Sequence, residues 1–267
     1  MLEHCRRKGH DFSRMMTVRV GLMVCACLVL SGCKSSTSSL SYKLVETREH
    51  DVTCYTQGLE FLGERLFESG GGYGDSVVRE LNPMTGEVLR QREFPESLFA
   101  EGLTILNGQL WLLTWQAGKV FVMDVETFEL KRSYAFQGEG WGLTNDGELL
   151  IMSDGSSTVE LRNPSDFSVV RSMEVTEGGK SVVDLNELEW ADGHVYANIY
   201  QSNRIVRFSL KDGEVKGSLD LTELAKNHPE MDELQVLNGI AYQKATGHFW
   251  VTGKNWPKIY ELKISAR

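Results

Sequence analysis

The chain has 267 residues, 41% of them hydrophobic and 9% aromatic, with a formal net charge of −9 at pH 7. That length serves one large domain or two ordinary ones, and common Gly (26) beside rare Pro (5) suits many tight turns better than disorder. An acidic body without a basic stripe argues against nucleic-acid binding, which needs phosphate neutralisation, and no run beyond the N-terminus approaches the ~20 apolar residues of a membrane helix.

At the N-terminus, Arg14 and Arg19 precede an apolar stretch over 20–30, which meets Ser31-Gly32-Cys33. A basic flank, a short apolar run and small residues at its end read as an export signal. Leu30-Ser31-Gly32-Cys33 also has the form of a bacterial lipobox. Residues 1–32 are therefore expected to be removed and Cys33 to carry a lipid anchor, the chain's only membrane contact. Residues 33–40 are Ser-rich and read as a flexible tether; 41–267 are expected to be the folded domain. Lys34 after the cysteine is not the Asp of inner-membrane retention, so a periplasmic protein held at the outer membrane is expected. With Cys33 lipidated, Cys54 is the only other mature cysteine, which excludes an internal disulfide. No His follows it at a catalytic spacing, so it reads as a small core residue.

Five short phrases then recur 40 to 52 residues apart: Gln57-Gly58-Leu59, Glu101-Gly102-Leu103, Trp141-Gly142-Leu143, Asn186-Glu187-Leu188 and Asn238-Gly239-Ile240. After each comes a turn and an apolar strand, such as Gln109-Leu110-Trp111-Leu112 or His248-Phe249-Trp250-Val251. A third strand follows, as in Val77-Val78-Arg79-Glu80-Leu81, then a turn and a fourth strand. Four strands per repeat of this length mark a propeller blade. The pattern predicts an all-β, five-bladed β-propeller of four-stranded antiparallel blades. Its one helical interruption is expected over 222–234, which accounts for the longest spacing. The last unit runs out after its third strand at 258–262. The unclaimed strand Ser41-Tyr42-Lys43-Leu44-Val45-Glu46-Thr47 is expected to complete it, so the N-terminal strand closes the ring and removes the open edge.

In a propeller the first strand of each blade lines the central channel. The first position of each phrase would then form a ring of Gln57, Glu101, Trp141, Asn186 and Asn238. One carboxylate, three amides and an indole at one mouth suit a polar substrate with an apolar part. A second set, 12 to 16 residues later, comprises Ser69, Trp115, Asp154, Tyr200 and Lys254. Tyr55 and Phe99 lie two residues before Gln57 and Glu101, on the same face of their strands. Aromatic walls would raise the Glu101 pKa by desolvation, and a nearby Lys254 ammonium would lower it. In this reading Glu101 and Asp154 are the only acids offered to the mouth.

The phrases Tyr55-Thr56-Gln57-Gly58-Leu59, Phe99-Ala100-Glu101-Gly102-Leu103-Thr104, Gly140-Trp141-Gly142-Leu143-Thr144, Asp184-Leu185-Asn186-Glu187-Leu188-Glu189 and Thr252-Gly253-Lys254-Asn255-Trp256-Pro257 occur in that order. Together they resemble the plant and bacterial glutaminyl-peptide cyclotransferase (glutamine cyclotransferase) family, over residues 42–264. The resemblance implies cyclisation of N-terminal glutamine to pyroglutamate on peptides or proteins. It implies a catalytic carboxylate at Glu101, polar substrate contacts from Gln57, Asn186 and Lys254, and an aromatic pocket from Phe99, Trp115 and Trp141, to which Tyr55 and Tyr200 are expected to add. Lys254 is further expected to act in catalysis as a donor to the oxyanion. Tyr55 stands where the family commonly has Phe, and Tyr200 where it commonly has Trp; both keep an aromatic wall and add a hydroxyl. The resemblance implies no cofactor and no catalytic metal, with a structural cation in the central channel of some members. The six His agree, since they show no clustered ligand spacing. A monomer is expected. Two other readings remain at this point: a non-catalytic envelope scaffold, and a lactonase-type hydrolase, which would need several carboxylates around a metal.

Overall fold

A computed structural model describes residues 37–228 and 234–266. The expected signal, its lipobox and Cys33 lie outside these residues. The described chain is built almost entirely of strands. After β1 (Ser38–Glu49) come β2 (Tyr55–Leu62), β3 (Arg65–Gly71), β4 (Val77–Leu81) and β5 (Val88–Glu93), which form a four-stranded antiparallel sheet in chain order. A second sheet comprises β6 (Ala100–Leu106), β7 (Gln109–Thr114), β8 (Lys119–Asp124) and β9 (Leu130–Ala135). A third comprises β10 (Leu143–Asn145), β11 (Leu150–Ser153), β12 (Thr158–Arg162) and β13 (Val169–Glu174). A small hairpin, β14 (Thr176–Glu177) and β15 (Lys180–Ser181), precedes β16 (Leu185–Ala191), β17 (His194–Ile199), β18 (Arg204–Phe208) and β19 (Val215–Asp220). A single helical turn, α1 (Thr222–Ala225), leads to β20 (Leu237–Gln243), β21 (His248–Gly253) and β22 (Lys258–Ala266).

The N-terminal strand completes the last unit, as its composition predicts. β1 pairs antiparallel with β22 from Leu40↔Ala266 to Glu49↔Lys258. It begins at Ser38, three residues before the expected strand, because Ser38 and Ser39 also pair in parallel with Gly217 and Ser218 of β19. Leu40 is buried directly over Gly217, where a Cβ would meet its side chain at 3.0 Å. This double pairing welds two four-stranded arrays into one sheet, ordered β16-β17-β18-β19-β1-β22-β21-β20.

Alternation along the strands sends side chains to opposite sheet faces, and each face packs on the next array. In β7, Leu110 and Leu112 join Phe67 and Val78 of the first array; the intervening Trp111 and Leu113 join Leu143, Leu150 and Met152 of the third. Further apolar clusters join the third array to the fourth and the fourth to the fifth. Leu59, Leu66 and Leu81 then pack on Ala241, Trp250 and Ile259, which returns the last array to the first. The first strands likewise touch in a cycle, β2 to β6, β10, β16, β20 and back to β2.

The helix expected over 222–234 is observed as one turn, Thr222–Ala225; residues 229–233 lie outside the described residues. Leu221 and Leu224 are buried, and the chain leaves the helix in tighter turns, with Asn227 N donating to Leu224 O and His228 N to Ala225 O, both at 3.0 Å.

A buried ion pair fastens the exit of β1. His50 Nε2 lies 2.8 Å from Glu68 Oε1 and His50 Nδ1 lies 2.6 Å from the Trp256 carbonyl oxygen. With an acceptor at each ring nitrogen, the imidazolium is the form that satisfies both. Burial alone would lower the His50 pKa, but the Glu68 carboxylate and the two hydrogen bonds raise it above the ordinary 6.5. Burial likewise pushes Glu68 upward, and His50, with Thr56 and Arg79, brings it below the ordinary 4.5. The His50 share of stability is therefore full below pH 6.5 and lost as pH rises through its raised pKa. The Glu68 share is full above 4.5 and lost as pH falls through its lowered one. Removing one partner by His50→Gln or Glu68→Gln should cost about 3–5 kcal/mol. In a double-mutant cycle followed by denaturant unfolding, the coupling should peak between pH 4.5 and 6.5; a flat profile would contradict the charged pair.

Candidate active site

The phrases sit on the cycle of first strands, and their glycines allow those strands to approach. A Cβ on Gly58 would stand 2.6 Å from Leu103 N, one on Gly102 2.5 Å from Leu143 N, and one on Gly142 2.0 Å from Asn186 O. The side chain just before each glycine is thus brought close to its neighbours. The fourth phrase has Glu187 in place of glycine, and its carboxylate accepts the backbone N–H groups of Leu59 (3.3 Å) and Ile240 (2.8 Å).

Above these strands opens a cavity of about 570 Å³, lined by Tyr55, Gln57, Phe99, Glu101, Trp115, Trp141, Asn186, Tyr200 and Lys254, with Thr53, Asp75, Leu234 and Asn255 at its margins. All nine residues expected in catalytic or substrate-contact roles therefore line one space. Asn238 does not. It is buried beneath, where Nδ2 donates to Thr56 O (2.9 Å) and Gln57 Oε1 (3.2 Å). Gln57 Nε2 in turn donates to Glu101 Oε1 at 3.0 Å. Asn238 fixes which end of the Gln57 carboxamide faces the carboxyl, so Gln57 is engaged at both ends.

Glu101 is only 5% exposed. Burial raises its pKa well above the ordinary 4.5; Lys254 pulls it down and Glu139 pushes it up. Lys254, 4% exposed, follows β21 and is pinned by its own N–H to Val236 O at 2.9 Å. Its ammonium lies 4.7 Å from the Tyr55 ring centroid and 4.9 Å from that of Tyr200. Such placement between aromatic faces offsets part of a cation's desolvation. Burial nevertheless lowers the Lys254 pKa to about 8, against an upward pull from Glu101.

The aromatic wall is built from two groups of rings. Phe99 packs edge-on against Tyr55 (6.3 Å between centroids), Trp115 (5.4 Å) and Tyr73 (5.4 Å), and Trp141 against Tyr200 (5.5 Å). Both indole N–H groups, from Trp115 (2.7 Å) and Trp141 (3.0 Å), donate to Oε2 of Glu139. Tyr73 and Glu139 are absent from the sequence reading. Glu139 could have been found, because it stands two residues before Trp141 as Tyr55 and Phe99 stand before Gln57 and Glu101.

Two of the loop positions do not reach the cavity. Ser69 lies within β3 and donates to the Glu101 carbonyl oxygen at 2.6 Å, holding the strand that carries the carboxylate. Asp154 is exposed and accepts from Ser156 N (3.0 Å) and Oγ (2.6 Å) in its own turn. Of the two acids expected at the mouth, Glu101 lines the cavity and Asp154 does not, while Asp75 does. Glu60, Glu187 and Glu189 are buried on the first strands, where they accept backbone N–H groups of neighbouring strands. Their oxygens serve as staples for strand amides. Among the described residues, no group of three or more His, Cys, Asp or Glu is placed to hold a metal ion.

A second cavity, about 690 Å³, lies between β1 and β19. Its Arg204 and Glu177 are spent on one another at 2.6 Å, and it shares no residue with the first.

A model of the glutamine cyclotransferase family matches residues 18–264. The chain belongs to this family. It is 37% identical over 219 residues to the glutaminyl-peptide cyclotransferase of Arabidopsis thaliana, covering 80% of this chain and 68% of that one. Its fold matches the crystal structure of Myxococcus xanthus glutaminyl cyclase with a TM-score of 0.82 at 29% identity, over 87% of this chain and all of that one. The glutamine cyclotransferase fold thus carries in this member a buried carboxyl and a buried amine at one aromatic cavity.

Holding Glu101 there costs stability once it ionises. Because its folded pKa is raised, the protonated form's advantage is full below 4.5 and lost as pH rises through the folded value. Glu101→Gln should match the wild-type melting temperature at about pH 4 and exceed it increasingly toward neutrality. A variant that melts lower than wild type at every pH would contradict this placement.

Proposed function

We propose that this cavity converts N-terminal glutamine of peptides and proteins to pyroglutamate with release of ammonia. One observation carries the reading: Glu101, a carboxyl held at a raised pKa, shares a largely apolar cavity with the Lys254 ammonium. The neutral α-amine of the substrate attacks its own side-chain amide carbon, so no protein nucleophile or cofactor is required. Ring closure is intramolecular, and catalysis reduces to orientation and proton movement.

Glu101 takes the proton that the amine loses and delivers it to the departing amide nitrogen, which leaves as ammonia. A raised pKa brings it closer to the operating pH and makes both transfers easier. The amide oxygen becomes an oxyanion during attack. Lys254 is the donor for it, since the Gln57 carboxamide is engaged with Glu101 and Asn238. Asn186 offers a buried carboxamide oxygen without a protein partner, suited to accept from the substrate's amine. Phe99, Trp115 and Trp141 enclose the aliphatic part of the glutamine, and Tyr55 and Tyr200 hold the ammonium.

The same reading takes the four-stranded arrays as the five blades of a closed propeller, with β1 as the clasp. It takes residues 1–32 as a cleaved lipoprotein signal and Cys33 as the anchor of a monomeric, periplasmic enzyme at the outer membrane. The clasp motif and the first strands' cycle support the former; the sequence pattern over 14–33 supports the latter.

Purified protein incubated with a Gln-initiated peptide should yield a product lighter by one ammonia. Glu101→Gln should remain folded and lose about 100- to 10,000-fold in kcat. Lys254→Ala should lose about 100- to 1,000-fold in kcat with a smaller change in KM. Near-normal turnover in Glu101→Gln would overturn the assignment.

A further inference from the structure

Trp115 follows β7 and Trp141 precedes β10, so two walls of the cavity come from different arrays. Neither strand pairing nor the apolar packing of the arrays joins these rings directly. An indole N–H in a dry wall needs an acceptor, and both N–H groups find the same one, Glu139 Oε2. The second oxygen, Oε1, accepts from Gln116 Nε2 at 3.1 Å, so the carboxylate is held at both ends.

The backbone around Glu139 is built for this approach. Gly140 N donates to the Trp115 carbonyl oxygen at 3.1 Å, and a Cβ on Gly140 would stand 3.0 Å from Thr114 O. The loop therefore lies directly on the segment that carries Trp115, and Glu139 itself is only half-buried. Burial pushes the Glu139 pKa upward, but the donors Trp141, Gln116 and Trp115 bring it below the ordinary 4.5, so it is an anion at neutral pH. Hydrogen bonds to an anion are roughly twice as strong as neutral ones.

We propose that Glu139 is a positioning residue that locks the Trp115 and Trp141 indoles into one rigid jaw around the side chain of the reacting glutamine. It rests on the cyclase reading, in which that side chain lies between the rings. Orientation is what an intramolecular attack demands of its enzyme, and a misplacement of about 1 Å can cost about 100-fold. Released from Glu139, each indole N–H would turn to water and carry solvent into the cavity. The charge has a second consequence. Of the charged groups acting on Glu101, Lys254 favours its ionised form and Glu139 opposes it.

The test compares Glu139→Ala with Glu139→Gln. The ¹H–¹⁵N signals of the two indoles, assigned through Trp115→Phe and Trp141→Phe, report the jaw without reference to activity. In Glu139→Ala these two signals should shift and exchange faster with solvent, while those of Trp111, Trp190, Trp250 and Trp256 hold. Its kcat on a Gln-initiated peptide should fall about 100-fold, with KM changed far less. Glu139→Gln keeps an acceptor oxygen without the charge. It should restore both signals and most of kcat, and shift the acid limb of the kcat/KM profile to lower pH, because the charge that opposes Glu101 ionisation is gone. Unmoved indole signals or wild-type kcat in Glu139→Ala overturn the proposal, as does a Glu139→Gln variant no better than Glu139→Ala. If wild-type protein releases no ammonia, the cyclase reading fails, while the indole signals still decide whether Glu139 holds the rings.

Discussion

The site depends on how closely the first strands approach one another. Gly58, Gly102 and Gly142 leave no room for a Cβ against the neighbouring strand's backbone. At that separation Gln57 reaches Glu101 through a direct hydrogen bond. A larger residue at any of these positions would widen the cycle and separate the side chains that precede it. Close backbone packing, set by glycine, is therefore what turns a structural repeat into a site.

That packing has an electrostatic consequence. A carboxyl and an amine are both taken out of water, and desolvation is the largest influence on each. The protein does not relieve the strain by pairing them off with other charges. Instead it gives Glu101 a single oriented amide donor and gives Lys254 two tyrosine faces. Burial thus shifts both groups toward their neutral forms, Glu101 upward and Lys254 downward to about 8. By contrast His50 and Glu68, also buried, line neither of the two cavities described above and pair with one another to fasten the end of β1.

Much of this was legible in the sequence because the repeat is written in it. The phrase positions placed Gln57, Glu101, Trp141 and Asn186 together, and the unfinished last unit called for the strand that became β1. The reading missed what the repeat does not encode. Ser69 and Asp154 share an offset with Trp115, but the strand in the first unit runs longer and the turn in the third closes on itself. Glu187 occupies a glycine's place and works through its carboxylate, which no spacing announces. Glu139 shares the offset of Tyr55 and Phe99 and was open to the reading, whereas Tyr73 acts by touching Phe99 and Trp115, so its meaning appears only once those rings have been placed.

The central claim is that burial holds the Glu101 carboxyl well above its ordinary pKa of 4.5. Its most direct measurement is a ¹³C titration of glutamate side-chain carboxyls, with the Glu101 signal assigned by its loss in the Gln variant. The account predicts a midpoint well above 4.5, moving higher still when Lys254 is replaced by a neutral residue. A midpoint at or below 4.5, insensitive to Lys254, would contradict it.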